Sequence, residues 1–248
     1  MRVHHKLSSR GFTLIELLIT LAISGVIMTG VYTAFKSQQD SYLAQEQVAE
    51  MQQNIRAALD IMVREVRMAG FDPSRDAEAS ITTATVGRFG FTQDIIGAEP
   101  DGIDNDGDGT TDETDGSEPD YSDGDTGDAN ETVTYGFAAG DDSEPNGIVD
   151  GNTAASLGRN TGVNFQPIAE NIQAIEFNYL DEDGNTTATL ADVRAVEISI
   201  LARTFRPDRN YTNTNTYTTP GGQTWGPYDD SFRRRFQTMM VQCRNMGL

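Results

Sequence analysis

Residues 12–35, FTLIELLITLAISGVIMTGVYTAF, form an apolar run in which Glu16 is the only formal charge. At about 1.5 Å per helical residue the run reaches roughly 36 Å, enough to cross a hydrocarbon core of about 30 Å. It is longer than the apolar region of a cleaved secretory signal, about 7–15 residues, and it has no clear small-residue exit. A plain uncleaved anchor accounts for the length but leaves Glu16 unexplained. A carboxylate in lipid costs several kcal/mol, and ionisable groups in such segments usually have a partner and a purpose.

The order of the pieces around the run is informative. A short basic leader carrying Arg2, Lys6 and Arg10 ends at Gly11, and Phe12, Thr13, Leu14, Ile15 and Glu16 follow directly. This stretch resembles the class III signal of type IV prepilins and pseudopilins. The resemblance implies that a membrane-embedded prepilin peptidase and methyltransferase cuts between Gly11 and Phe12 and methylates the new Phe12 amine. It also implies that Glu16 of one subunit approaches the amine of its neighbour when the apolar helices bundle. Such a pair sets register more than it adds stability, because desolvation opposes the Coulomb gain while a misaligned subunit leaves a charge unpaired. A carboxylate in the first turn of a helix is in addition favoured by the macrodipole.

The chain carries a net charge of −20, and removal of the leader with its three basic residues makes the remainder more acidic still. A balance of this sign argues against nucleic acid as a partner, since phosphate neutralisation needs a basic face. Cys243 is the single cysteine, so no intrachain disulfide can form, and it reads as a small apolar residue on a terminal strand.

Helical periodicity continues beyond the membrane run. Val48, Met51, Ile55, Ala58, Leu59, Met62, Val66 and Ala69 recur at three- and four-residue steps, with polar side chains on the other faces. No proline lies between Phe12 and Gly70, so the spacing predicts one helix that ends near Gly70, with Pro73 blocking continuation. After Gly70 the pattern alternates. Residues 81–91, 131–137, 172–180, 193–203 and 233–242 read as strands, with Asp181–Asn185 as a turn. Ile175, Phe177 and Tyr179 share one face; Val196, Ile198 and Ile200 share another. The stretch 209–227, rich in Thr, Asn and Gly without periodicity, reads as a surface loop. The expected fold is α+β and type IV pilin-like: one long N-terminal helix, its first half membrane-spanning, packed on an antiparallel sheet with long acidic loops. The expected organisation is a cleaved leader (1–11), an apolar assembly helix (12–35), an amphipathic helix (36–70) and a β-rich head (71–248) with an acidic insert (94–150).

The later residues narrow the resemblance. QVAEMQQNIRAALDIMVREVRMAGFDP, QPIAENIQAIEFNYLD, DVRAVEISILART and RRRFQT together are similar to the PilW-like minor pilins. That implies a protein that helps initiate type IV pilus assembly with other minor pilins and the major pilin, at or near the tip. Its localisation would be the inner membrane, with the head in the periplasm, and then the pilus. J-type pseudopilins of type II secretion share this architecture and are the nearest alternative, and a calcium-dependent pilus-associated adhesin is a further one.

Residues 94–150 hold 19 of the 38 acidic side chains, and no Lys or Arg lies between Arg88 and Arg159. Charge alone describes a solvated loop. Inside DGIDNDGDGTTDETDG, however, counting Asp104 as the first of twelve positions puts Asp106 at the third, Asp108 at the fifth and Gly109 at the sixth. The Thr110 carbonyl is then seventh, Asp112 ninth and Asp115 twelfth. Calcium wants that pattern of hard oxygen ligands around a glycine turn. Asp115 departs from the usual glutamate, and Pro100 and Pro119 leave no helices to flank the loop, so one structural calcium ion is the expectation and not an EF-hand switch. Asp120, Asp123, Asp125 and Asp128 have weak spacing and read as solvated. No nucleophile elbow, P-loop or zinc spacing is present, and both histidines, His4 and His5, lie in the leader. A non-enzymatic assembly component is the reading that follows.

Overall fold

The structure is a computed structural model, and it describes residues 12–247 apart from 74, 76, 96–124, 128–129 and 163. Among the described residues one α-helix, α1 (Leu14–Val66), precedes nine strands: β1 (Ile81–Ala84), β2 (Phe89–Thr92), β3 (Thr132–Gly136), β4 (Ala155–Asn160), β5 (Gln166–Leu180), β6 (Ala195–Arg203), β7 (Tyr217–Thr218), β8 (Thr224–Trp225) and β9 (Arg234–Gln242). The chain divides into two compact units at Glu46/Gln47.

In the first unit every described residue from Phe12 to Leu43 is exposed, including the large apolar side chains. In the second, seven strands form one antiparallel sheet in the order β1-β2-β3-β4-β5-β6-β9. The apolar stripe read from the sequence is the buried face of α1: Met51, Ile55, Ala58, Leu59, Met62 and Val66 pack into one core with the sheet. The helix stops at Val66, and a turn over 67–70 leads to Gly70. Gly70 adopts a left-handed φ of 73° and donates its N–H to the Thr92 carbonyl at 3.0 Å. A side chain on Gly70 would also meet the Met246 sulfur, the far end of a flexible side chain, so the left-handed φ is what calls for glycine here.

The register of β5 on β6 pairs Ile175 with Ile200, Phe177 with Ile198 and Tyr179 with Val196. Residues directly opposite in an antiparallel pair point to the same side. The two sets that the sequence put on separate faces therefore make one surface, which carries the core against α1. Phe89 joins them, with its ring centroid 5.9 Å from Phe177 and 5.8 Å from Tyr179.

Four further expectations are corrected. Residues 81–91 are not one strand but the hairpin β1–β2. Its turn is closed by the Thr85 N–H on the Arg88 carbonyl at 3.0 Å, and both carbonyls lie 2.8 Å from the Tyr179 hydroxyl. β4 was not expected, because ASLGRN contributes only Leu157 as a large buried apolar side chain. β5 begins at Gln166, six residues earlier than the apolar alternation, where its side chains are mostly less buried. Last, 209–227 is not simply a surface loop. It contains the β7–β8 hairpin and brings Trp225 onto the sheet face opposite α1, where Ala174 and Leu201 form a second small core with it.

That second layer is clamped at its base by arginines stacked on aromatic rings. Arg203 lies 4.2 Å from the Phe232 ring centre, Arg233 4.4 Å from Tyr211 and Arg234 4.0 Å from Tyr228. Arg233 also pairs with Asp208 at 2.8 Å and Arg234 with Asp230 at 2.6 Å. Cys243 lies one residue past β9 and is buried, and burial pushes its thiol up to about 12. It is a packed apolar residue, as its composition suggested.

Candidate functional site

The apolar helix begins with a local device that fixes its first turn. Thr13 is the residue before α1, and its N–H and hydroxyl both donate to Glu16 Oε2 at 2.9 Å. The Glu16 N–H lies 3.3 Å from the Thr13 hydroxyl oxygen, and the Leu17 N–H reaches the Thr13 carbonyl at 3.2 Å. This reciprocal arrangement is a capping box, which satisfies backbone donors that a helix start leaves without intrahelical partners. The signal for it, T-x-x-E at Thr13–Glu16, is present in the sequence.

The consequence for Glu16 is geometric. Both hydrogen bonds from Thr13 fall on one carboxylate oxygen, which fixes the side chain beside the entry of the helix. Phe12, the residue just before the cap, is 90% exposed. Two groups that the sequence singled out, Phe12 and Glu16, thus lie on either side of Thr13 at the helix start. Gly11 lies outside the described residues. Further along, Thr20, Thr29 and Thr33 donate their hydroxyls to backbone carbonyls one turn back, so these polar side chains are satisfied within an apolar helix. Among the described residues α1 is the one helix long and apolar enough to cross a membrane.

The head supplies rigidity. Glu65 near the end of α1 accepts from Arg159 Nε on β4 at 2.8 Å and from the Tyr135 hydroxyl on β3. Burial, then the Glu65 charge, pushes the Tyr135 hydroxyl well above its ordinary range, so it stays a proton donor to Glu65. This triad pins the helix to two central strands, and no periodicity in the sequence announced it.

The acidic insert leaves the sheet between adjacent strands. β2 and β3 pair from Phe89–Tyr135 to Thr92–Thr132. Beyond them the Gln93 N–H donates to the Glu131 carbonyl at 3.0 Å, and the Ile95 N–H to the Glu131 carboxylate at 2.9 Å. The six residues expected to ligate calcium, Asp104, Asp106, Asp108, Thr110, Asp112 and Asp115, lie outside the described residues. The far end of the acid-rich stretch is folded. Asp142 is buried and accepts from the N–H groups of Asn146 and Gly147 at 3.1 and 2.9 Å, which shapes a tight turn against Ile175.

Comparison with known proteins gives matches at both ends of the chain. Residues 6–32 match the prokaryotic N-terminal methylation motif, and residues 132–245, from β3 through β9, match the family described as Type IV Pilus-assembly protein W. Among solved structures, a type IV-like pilin from Thermus thermophilus aligns over 79% of this chain and 98% of its own, at 15% identity and a TM-score of 0.45. No curated protein matches. One chain thus joins a match to the prokaryotic N-terminal methylation motif at the helix start to a match to the pilus-assembly protein W family across the sheet.

Proposed function

We propose that the protein is a minor pilin that helps initiate type IV pilus assembly and enters the filament at or near its tip. The observation that carries this reading is the joining of a methylation motif to a pilus-assembly protein W domain in one chain. In this reading the peptidase removes residues 1–11 at the cytoplasmic face, the Phe12 amine is methylated, and the head waits in the periplasm on its apolar anchor. Bundling with other minor pilins and the major pilin then brings the amine of one subunit to Glu16 of the next. The capping box supports that role. Thr13 holds Oε2 of Glu16, which orients the carboxylate before a neighbour arrives and lowers the ordering cost of pairing. The chain acts by assembly and not by catalysis.

Deletion is the test. Loss of the protein is expected to reduce the number of surface pili while secreted enzymes in the medium stay at their usual level. The reverse result identifies a secretion pseudopilin, and normal pilus numbers with lost attachment identify an adhesin.

We further propose that the insert holds one structural calcium ion through Asp104, Asp106, Asp108, Asp112, Asp115 and the Thr110 carbonyl. The support is the alternation of oxygen ligands around Gly109. A ligand that binds only the folded state stabilises it by about 2.7 kcal/mol at a hundredfold excess over Kd. The full chain in detergent is therefore expected to melt at a higher temperature in calcium than in magnesium at equal ionic strength. Asp104→Asn with Asp108→Asn should abolish the calcium-specific part. Identical responses of wild type and double mutant would leave only a solvated acidic loop.

A further inference from the structure

The two edges of the seven-stranded sheet are built differently. β1, at one edge, has four residues, and its pairing with β2 shifts register between Ile81 and Thr83. Short, irregular edges discourage further pairing. β9, at the other edge, has nine residues, contains no proline or lysine, and pairs with β6 without a shift from Arg234 to Gln242.

The direction of its backbone groups follows from the two ends of that pairing. The Thr204 N–H donates to the Arg233 carbonyl, and the Cys243 N–H donates to the Arg194 carbonyl, both at 2.9 Å. Successive residues of an antiparallel strand turn their backbone groups alternately toward and away from the neighbour. Odd-numbered residues of β9 therefore face β6, and Phe236, Thr238, Met240 and Gln242 present N–H and C=O to the open side. Among the described residues no strand pairs with that side. Thr238, Met240 and Gln242 are exposed, and Met240 is the most exposed large apolar side chain of the strand, at 59%.

We propose that the β9 edge is an interaction surface that takes an extended edge strand of a different pilin-type subunit by β-strand addition. The proposal rests on the minor-pilin reading above. The chemistry of the edge sets the class of ligand, because donors and acceptors repeated at strand spacing are satisfied along their length by another extended backbone. β9 carries two arginines at its start and no acidic residue, so it favours a partner strand with a carboxylate opposite exposed Arg235.

A second copy of this chain fits poorly. Two β9 strands paired antiparallel about Thr238 would set Arg235 opposite Val241, with no carboxylate on either strand. The other edge that a second copy could offer is β1, which carries no acidic residue either. The short, bulged β1 of this chain is a poor partner for nine residues, which points to a different subunit.

Met240→Pro tests the edge in the full chain. Proline is tolerated on an edge strand where its missing N–H faces outward, so the β6 ladder is kept while one outward donor is lost. Met240→Ala trims the side chain and keeps the backbone. The proline variant is expected to reach the membrane at wild-type level and melt at the wild-type temperature, yet to lower pilus number by about tenfold or more, while the alanine variant stays close to wild type. In parallel, a photo-reactive residue in place of Gln242 in piliated cells should give an adduct mapped to an edge strand of another pilin-type protein.

Adducts to β9 of a second copy, to proteins of other kinds, or no more than from the same group at Thr82 on β1 would overturn the proposal. A proline variant with normal pili would do the same. If Met240→Pro lowers the melting temperature, the adduct decides alone. When deletion removes pili but Met240→Pro and the adducts show no effect, the edge proposal fails and the minor-pilin reading stands; deletion without effect on pili overturns both.

Discussion

Replacing Gly11 with a bulky residue such as Leu is expected to leave the eleven-residue leader on the chain and to abolish its entry into pili. The cut proposed between Gly11 and Phe12 requires the peptidase to accept the residue before the bond, and glycine is the only residue with no side chain to fit. Gly11→Ala, one methyl group larger, is expected to be cut more slowly. Retention also removes the cation. An uncut chain has a neutral peptide nitrogen at Phe12 in place of the amine, so the counter-charge proposed for Glu16 of the neighbour would be missing in an apolar medium. Intact mass of the membrane-extracted protein reads the outcome, since the wild type should begin at methylated Phe12 and the variant at the start of the leader. A wild-type chain that keeps residues 1–11, or one cut near Gly30, would sink this account of processing and of Glu16 with it.

Trp225→Ala is expected to destabilise the head by about 3–5 kcal/mol, the usual cost of truncating a large buried aromatic. Trp225 is 1% exposed, packs with Ala174 and Leu201, meets the Phe236 ring edge-on at 5.9 Å and donates its indole N–H to Gln223 at 2.9 Å. In a unit of about 200 residues each kcal/mol shifts Tm by roughly 2–4 °C. Circular dichroism of the full chain in detergent should therefore show a fall in Tm of about 10 °C. Trp225→Phe, which keeps most of the volume, should fall by less than half as much. A change within about 0.5 kcal/mol, the range of exposed positions, would mean that 209–227 is a surface loop after all. Trp225 is the only tryptophan, so the wild type carries its own reporter: emission should shift to longer wavelength only on unfolding.

The parts of this fold that the sequence announced are those in which one physical signal dominates. Met51, Ile55, Ala58, Leu59, Met62 and Val66 repeat at helical spacing because a single face of α1 is buried. Ile175, Phe177 and Tyr179 alternate because their strand is central and packs its core on one side. What was missed is held by contacts distant in sequence. β4 is a strand because β3 and β5 lie on either side of it, not because ASLGRN prefers to be one. Trp225 is buried because arginines 203, 233 and 234 stack on rings in the 211–232 segment and draw it over the sheet, and neither partner alone signals the pair. The Glu65–Arg159–Tyr135 triad joins three elements and has no local signature. At the helix start the reverse holds. Glu16 stood out as a charge out of place, and its cap was legible three residues upstream in Thr13.

The pairing of Thr92 with Thr132 has a consequence for how such heads can diversify. The entropy of closing a loop grows only with the logarithm of its length, so doubling the segment between two ends already clasped by a ladder costs about 0.6 kcal/mol. The β2–β3 hairpin is therefore a permissive port. Sequence can be lengthened, shortened or exchanged there at little expense to the seven strands behind it, so the surface that this unit presents can change while the framework that carries it stays the same.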